Sequence, residues 1–294
     1  MIMYRLTTQD IIDHLIAAQK RGVDVQIILD NNGVSTEKPT GAFHQLTAAG
    51  IKVMKSSPQF SISHVKAFIV DNETLYIMTL NLTSITATVR DVGYMTKDKG
   101  LISFFNDLFT TDVANSTNQT MNPPKSVPDN IVLSPGSRDR LEQYIKTAHQ
   151  SIQLEVENFS DPAMTQDLID AAKAGVKVQV LMPRCDLTSN EFDMPVAEQL
   201  AAAGVEVYMM PSPMTADTPY IHQKSIVVDG TSAFLGSENF SHNSLDMARE
   251  LGVIISEPHQ VQQMSDMFNK DIGVSLNGID AAKAYVCPPS PFGN

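Results

Sequence analysis

Apolar residues fall along this chain in two alternating rhythms. The run Val25-Gln-Ile-Ile-Leu29 follows an Ala-rich stretch holding Leu15, Ala17 and Ala18, and the run Val178-Gln-Val-Leu-Met182 follows one holding Leu168, Ala171 and Ala172. A short apolar run after a stretch of helical spacing reads as a buried strand in a sheet covered by helices. Gly22 and Gly175 stand where each helix should end, a position that calls for a positive φ.

The two regions are copies of one pattern. Arg21-Gly-Val-Asp-Val-Gln-Ile-Ile-Leu29 matches Ala174-Gly-Val-Lys-Val-Gln-Val-Leu-Met182, and Ala49-Gly-Ile-Lys-Val53 matches Ala203-Gly-Val-Glu-Val207. His64-Val-Lys-Ala-Phe-Ile-Val-Asp71 matches His222-Gln-Lys-Ser-Ile-Val-Val-Asp229, and Phe109-Thr-Thr-Asp112 matches Phe268-Asn-Lys-Asp271. The offset grows from 153 to 154 to 158 across the first three pairs, the last gain falling in the loop Pro211–Tyr220. A duplicated unit with loop insertions behaves this way. Each unit reads helix, strand, helix, strand and two further strands, an α/β class.

The pattern predicts a first unit over residues 1–114, a linker over 115–130 and a second unit over 131–294. The linker carries Pro123, Pro124 and Pro128 among polar residues without periodicity. The second unit opens with a helix over Arg138–Ser151, then a strand over Ile152–Val156; the first begins at the strand equivalent, near Ile2–Leu6. Its opening helix is therefore expected to be missing: either the fold tolerates that loss, or the chain's start, with or without a signal peptide, lies upstream.

The chemistry concentrates in one spacing that occurs twice. Residues His64 to Asn81 read H-x-K-x₄-D-x₆-M-T-x-N, and His222 to Asn239 read H-x-K-x₄-D-x₆-G-S-x-N. Four fixed polar residues match by chance on the order of 10⁻⁵ times per position, so two matches in register with a repeat mark a site. Side chains two apart on a strand share a face, so His64 points with Lys66 and His222 with Lys224. Asn81 and Asn239 follow the next strand. If the units pack about a pseudo-two-fold axis, one pocket collects two imidazoles, two ammonium groups and two amides.

Such a pocket suits phosphoryl transfer. Lys and Asn donate to non-bridging oxygens, one His attacks phosphorus, and the other protonates the leaving oxygen and then activates water or an alcohol. Asp91 and Glu250 follow the two motifs and are expected to fix each ring's tautomer through its other nitrogen. Asp71 and Asp229 lie off the lysine face and read as structural support, with Thr79 and Ser237 as supporting hydroxyls.

The paired motif resembles the two HKD motifs of the phospholipase D superfamily, over nearly the whole chain. The segment Ser237-Glu-Asn-Phe-Ser-His-Asn-Ser-Leu-Asp-Met-Ala-Arg-Glu-Leu-Gly252 is similar to its bacterial phospholipase D-like and cardiolipin-synthase-like branch. The resemblance implies two α/β/α units sharing one active site, and a metal-independent phosphodiesterase or phosphatidyl transferase working through phosphohistidine. It implies His64 as nucleophile, His222 as acid and base, and Lys66, Lys224, Asn81 and Asn239 as phosphate ligands, with no cofactor and no metal. Met78-Thr79 departs from the family's Gly-Ser, and Asp91 is one methylene shorter than the usual Glu.

The remaining candidates read more plainly. His14, His44, His149, His242 and His259 lack this context and read as surface or capping residues, with His242 the one near enough to line the pocket. Arg90 and Arg249 precede the carboxylates, and each reads either as a partner of its neighbouring acid or a substrate contact, or equally as an ordinary surface charge. Met209, Met210 and Met214 flank Pro211 and Pro213, and read as a strand end and its covering loop before an acyl-chain contact. No H-E-x-x-H or paired-Cys spacing supports a metal.

Charge narrows the partners. The chain has 294 residues with 21 Lys and Arg against 33 Asp and Glu, a net charge of −12. This disfavours nucleic acid, whose binding needs a basic face, and simple docking on anionic lipid, leaving transient membrane contact. Cys185 and Cys287 form one bridge or none. Low charge, 18%, slightly favours an exported protein over a cytoplasmic one. The expected substrate is a glycerophospholipid headgroup ester, the alternatives being phosphatidyl transfer, a nuclease, or a catalytically silent phosphate-binding protein. One chain carries both motifs, so a monomer suffices for a complete site.

Overall fold

The computed structural model describes residues 1–31, 33–38, 40–84, 88–117, 121–185, 194–212 and 215–288. The strands of the first unit are β1 (Ile2–Met3), β2 (Gln26–Leu29), β3 (Lys52–Lys55), β4 (Lys66–Val70), β5 (Thr74–Met78), β6 (Val89–Arg90) and β7 (Gly93–Thr96). Its helices are α1 (Gln9–Lys20), α2 (Val34–Glu37), α3 (Ala42–Ala48) and α4 (Lys99–Asn115). The second unit contributes β8 (Ile131–Ser134), β9 (Ser151–Val156), β10 (Lys177–Pro183), β11 (Glu206–Met210), β12 (Tyr220–Ile221), β13 (Lys224–Val228), β14 (Ser232–Gly236), β15 (Glu250–Ile255) and β16 (Leu276–Asn277). Its helices are α5 (Ser137–Ile145), α6 (Pro162–Lys173), α7 (Met194–Ala202), α8 (Pro258–Ile272) and α9 (Ile279–Ala284).

The duplication is visible in the sheets. One runs β3-β2-β1-β4-β5-β7; the other runs β16-β11-β10-β9-β13-β14-β15-β8, the same order with an added strand at each edge. The strands linked by helices pair in parallel, and the two that carry each motif pair as an antiparallel hairpin. Gly22 and Gly175 close the helices before β2 and β10 at φ +90° and +92°.

Helices cover each sheet's outer face. Ile12 and Leu46 of α1 and α3 pack on Ile27 and Leu29, while Leu141, Leu168 and Leu200 of α5, α6 and α7 pack on Leu154, Val178 and Val180. The inner faces meet in one core. Phe104, Phe105 and Leu108 of α4 and Val261 and Met264 of α8 pack there with Ala67, Leu75, Val227 and Leu235 from both sheets. Burying this surface is the main force joining the units.

The structure moves two boundaries and adds a strand. The opening helix of the second unit ends at Ile145, short of the expected Ser151, and Asp229 accepts from the amides of His149, Gln150 and Ser151 where the chain turns into β9. Strand β8, which the pattern did not predict, pairs with β15 ahead of that helix. Asn115 is the last residue of α4 rather than the start of a linker. Its buried amide bonds the main chain of Asn122, Lys125 donates its amide to Asp107, and the segment is fastened along the helix.

Cys185 and Cys287 form a disulfide, tying the end of β10 to the segment after α9. Arg184 beside it donates to the carbonyl of Ala282. No helix among the described residues is long and apolar enough to cross a membrane.

Candidate active site

Each motif histidine stands just before a strand whose lysine follows it, and each is gripped by the opposite unit. The His64 amide donates to the carbonyl of Arg249, and the His222 amide to the carbonyl of Arg90. Strand β12 pairs in parallel with β6, as Ser63 does with Arg249. These reciprocal contacts bring the carboxylates across the divide. His64 Nδ1 lies 2.8 Å from Glu250 Oε2, and His222 Nδ1 lies 2.8 Å from Asp91 Oδ1. The spacing placed Asp91 and Glu250 after their own motifs; the fold crosses them, so each unit orients the other's histidine.

The hydrogen bonds set the tautomer of His64. Nδ1 faces two acceptors, Glu250 and the carbonyl of Ser237 at 3.1 Å, so Nδ1 carries the proton and Nε2 presents its lone pair. Burial pushes the His64 pKa down to about 4, with Glu250 opposing and Lys66 assisting. Burial would raise Glu250, but His64 and Lys66 hold it below the usual carboxylate range. At neutral pH the pair is a neutral imidazole donating to an ionised carboxylate. Ser244 also donates to Glu250, at 2.6 Å, and Thr79 to Asp91, at 2.6 Å. Thr79 thus supports the carboxylate.

Both lysines are buried and fold back on their own motifs. Lys66 Nζ donates to the carbonyl of His64 at 2.7 Å, and Lys224 Nζ donates to that of His222. Burial lowers the Lys66 pKa to about 7, Glu250 opposing and Lys224 assisting. The asparagines follow the hairpins at matched places, Asn239 accepting from the Asn158 amide at 3.2 Å. Asn81 Oδ1 is buried without a hydrogen-bond partner among the described residues. Asp229 lies in the hairpin turn at φ +52°, held by the three amides that precede β9; Asp71 lies exposed in the equivalent turn at φ +55°. Ser237 accepts from the Leu251 amide.

Met78, which replaces the family's glycine, sits across from Gly93 and packs into the outer core of the first sheet. At the matching place Gly236 lies across from Gly252, and a Cβ on either would strike the Glu238 side chain. The glycines of the second half therefore make room for a buried carboxylate that the first half, with Leu80 there, does not have. Burial raises Glu238 well above the ordinary carboxylate pKa, and neither of its oxygens has a partner among the described residues.

Two features escape a reading of the sequence. Glu157, one residue past β9, places Oε2 at 2.7 Å from Lys224 Nζ, 3.4 Å from Asn239 Nδ2 and 3.6 Å from His222 Nε2. The other is the pairing of Arg90 and Arg249, which face acids of the opposite unit and not the neighbouring Asp91 and Glu250 or solvent. Arg90 makes a two-pronged pair with Asp271 of α8 at 2.5 and 2.7 Å, and Arg249 pairs with Asp112 of α4 at 2.8 Å. The repeat sets Asp112 and Asp271 as equivalents, which was the available signal.

The other histidines stand apart. His14, His44, His149, His242 and His259 are exposed, and His242 bonds Asp246 on the surface. Met209 and Met210 are buried at the end of β11; Pro213 and Met214 lie outside the described residues. No three His, Cys, Asp or Glu side chains among the described residues are grouped as a metal site would need.

The tandem α/β fold and its doubled motif are those of a phospholipase D-like protein. The family described as cardiolipin synthase, PLD-like domain, matches residues 1–113 and 141–272, and the chain belongs to it. It is 25% identical over 293 residues to cardiolipin synthase A of Proteus mirabilis, covering 85% of this chain and 58% of that protein. It is likewise 25% identical over 307 residues to cardiolipin synthase of Clostridium perfringens, covering 90% and 62%. The chain thus spans about three-fifths of the length of these relatives. Its fold is that of phosphatidylserine synthase from Haemophilus influenzae, with a TM-score of 0.70 at 12% identity, covering 94% of this chain and 81% of that one.

Proposed function

We propose that this protein breaks a phosphodiester bond by two displacements at one composite site. The observation that carries the reading is the crossed pairing of two histidines with two carboxylates around Lys66 and Lys224. His64, neutral with its Nε2 lone pair exposed, attacks phosphorus. The P–N bond forms as the P–O bond to the leaving alcohol breaks, and His222 Nε2 gives that oxygen its proton. His222 then takes a proton from water or an alcohol, whose oxygen attacks phosphorus and releases His64. Lys66, Lys224, Asn81 and Asn239 carry the non-bridging oxygens, where charge spreads in the transition state.

The substrate we infer is a glycerophospholipid, cleaved at its headgroup ester. The likeness to two bacterial cardiolipin synthases favours a second acceptor, the hydroxyl of another lipid in place of water. Both outcomes share the first displacement and divide at the second. Purified protein added to phosphatidylglycerol and phosphatidylethanolamine vesicles, in EDTA, tests this. Release of glycerol or ethanolamine reports the shared first displacement; phosphatidic acid as its partner product supports hydrolysis, and cardiolipin supports transfer. Neither product, together with no cleavage of bis(p-nitrophenyl) phosphate, contradicts the reading. Cleavage of single-stranded DNA but not lipid would place the substrate among nucleic acids, against the −12 charge.

A further inference from the structure

The two halves of the site match in every motif residue assigned to phosphate, yet they differ in the residue set beside each lysine. Met3 pairs with Lys66 across β1 and β4, and Val156 pairs with Lys224 across β9 and β13. The next residues, Tyr4 and Glu157, therefore occupy equivalent places. In the first half Lys66 Nζ sits 5.2 Å from the centre of the Tyr4 ring, which also stands edge-on to His64 at 4.6 Å. An aromatic face steadies the ammonium without using its hydrogen-bond donors. In the second half a carboxylate takes those donors directly.

One oxygen of Glu157 gathers all three. Lys224 Nζ, Asn239 Nδ2 and His222 Nε2 converge on Oε2 at 2.7, 3.4 and 3.6 Å, while Tyr220 Oη donates to Oε1 at 3.2 Å. These are the groups that the mechanism assigns to a phosphoryl oxygen and to the leaving alcohol. An anionic oxygen ringed by an ammonium, an amide and an imidazole is what a bound phosphate would present. Burial works against its charge, and His222 and Lys224 more than reverse that, holding the carboxyl well below its usual range. It therefore stays ionised across working pH.

We propose that Glu157 is a positioning residue that fills the oxyanion seat of the second motif in the free protein, so that an incoming phosphoryl group docks first on the His64 half and gains Lys224 and Asn239 only by displacing it. This deepens the phosphodiester reading and rests on it. Among the described residues no carboxylate is hydrogen-bonded to Lys66 or Asn81, so a phosphate entering the shared pocket meets those two donors first and must displace Glu157 to gain Lys224 and Asn239. Two like charges cannot share those donors without repulsion. At the phosphate donors the pocket's near symmetry is broken by this carboxylate, so the phosphorus lies nearer His64 and the leaving oxygen nearer His222.

The test is calorimetric titration of the purified protein with inorganic phosphate at pH 6.5, comparing wild type with Glu157→Gln and Glu157→Ala. Removing a competing anion should tighten phosphate binding at least tenfold in both variants. If Glu157 only braced Lys224, its loss would loosen binding, so unchanged or weaker affinity in Glu157→Gln overturns the proposal. A thermal melt of each variant checks that it is folded; if one is not, the other decides between the two outcomes. Equal, measurable binding in wild type and variants sinks this inference while leaving the phosphodiester reading intact. No phosphate binding in any of the three contradicts both.

Discussion

The division of labour between the histidines comes from their neighbours. His64 is buried with Glu250 on its ring and the charges of both lysines acting on it, and burial carries its pKa to about 4. It is a free base throughout the neutral range, as a nucleophile must be. Replacing His64 or His222 by Ala should lower kcat by about 10³-fold or more, read by phosphodiester hydrolysis. Glu250→Gln and Asp91→Asn should each cost about 10²-fold, because the histidine on the opposite unit loses the carboxylate that fixes its tautomer. Lys66 sets the other limit. Its pKa falls to about 7 through burial, so its ammonium is present below that value and lost above it. The plot of log kcat/KM against pH should rise through about 4 as His64 loses its proton and fall above about 7 as Lys66 loses its own. A profile flat from pH 5 to 9 would contradict this assignment.

At the scale of elements, the histidine-lysine face was legible because a strand has a period of two residues. The spacing from motif to carboxylate was legible too, but not its destination. Asp91 and Glu250 lie on β6 and β15 or at their ends, and which histidine each meets depends on how strands of different units pair, a contact that no local pattern encodes. Glu157 was missed because it lies outside both motifs, at the end of β9. Extending the repeat to the strand before each motif pair would have set Tyr4 against Glu157. Strand β8 was missed because its apolar run is short and directly follows the proline-rich segment. The disulfide was left open by spacing, since the two cysteines stand 102 residues apart. Closing a loop of that length constrains the unfolded chain, and reduction should cost about 2–4 kcal/mol. Dithiothreitol should lower the urea midpoint of the wild type and leave that of Cys287→Ser unchanged. An oxidising compartment is where such a bridge persists.

At the scale of the molecule, the active site and the joint between the units are one structure. The strands that cross-pair to deliver Asp91 and Glu250 also carry Arg90 and Arg249, which lock onto Asp271 and Asp112 of the helices in the shared core. Asp112→Ala leaves Arg249 buried without its acid, a loss of about 3–5 kcal/mol in urea unfolding. Its effect should extend to activity, because the Arg249 carbonyl receives the His64 amide. Duplication was the most legible feature of the sequence, and the reciprocity of its contacts the least. A repeat shows that two surfaces are alike, whereas their complementarity emerges only when they meet.

The composite, two-step site is tested most directly by trapping its intermediate. Bis(p-nitrophenyl) phosphate has a leaving group that departs without an acid, so His222→Ala should still form the adduct yet fail to activate water. After acid-free quenching, mass spectrometry of His222→Ala should find the nitrophenyl phosphoryl group on His64. No adduct in that variant, or an equivalent adduct on His222 in His64→Ala, would contradict the account.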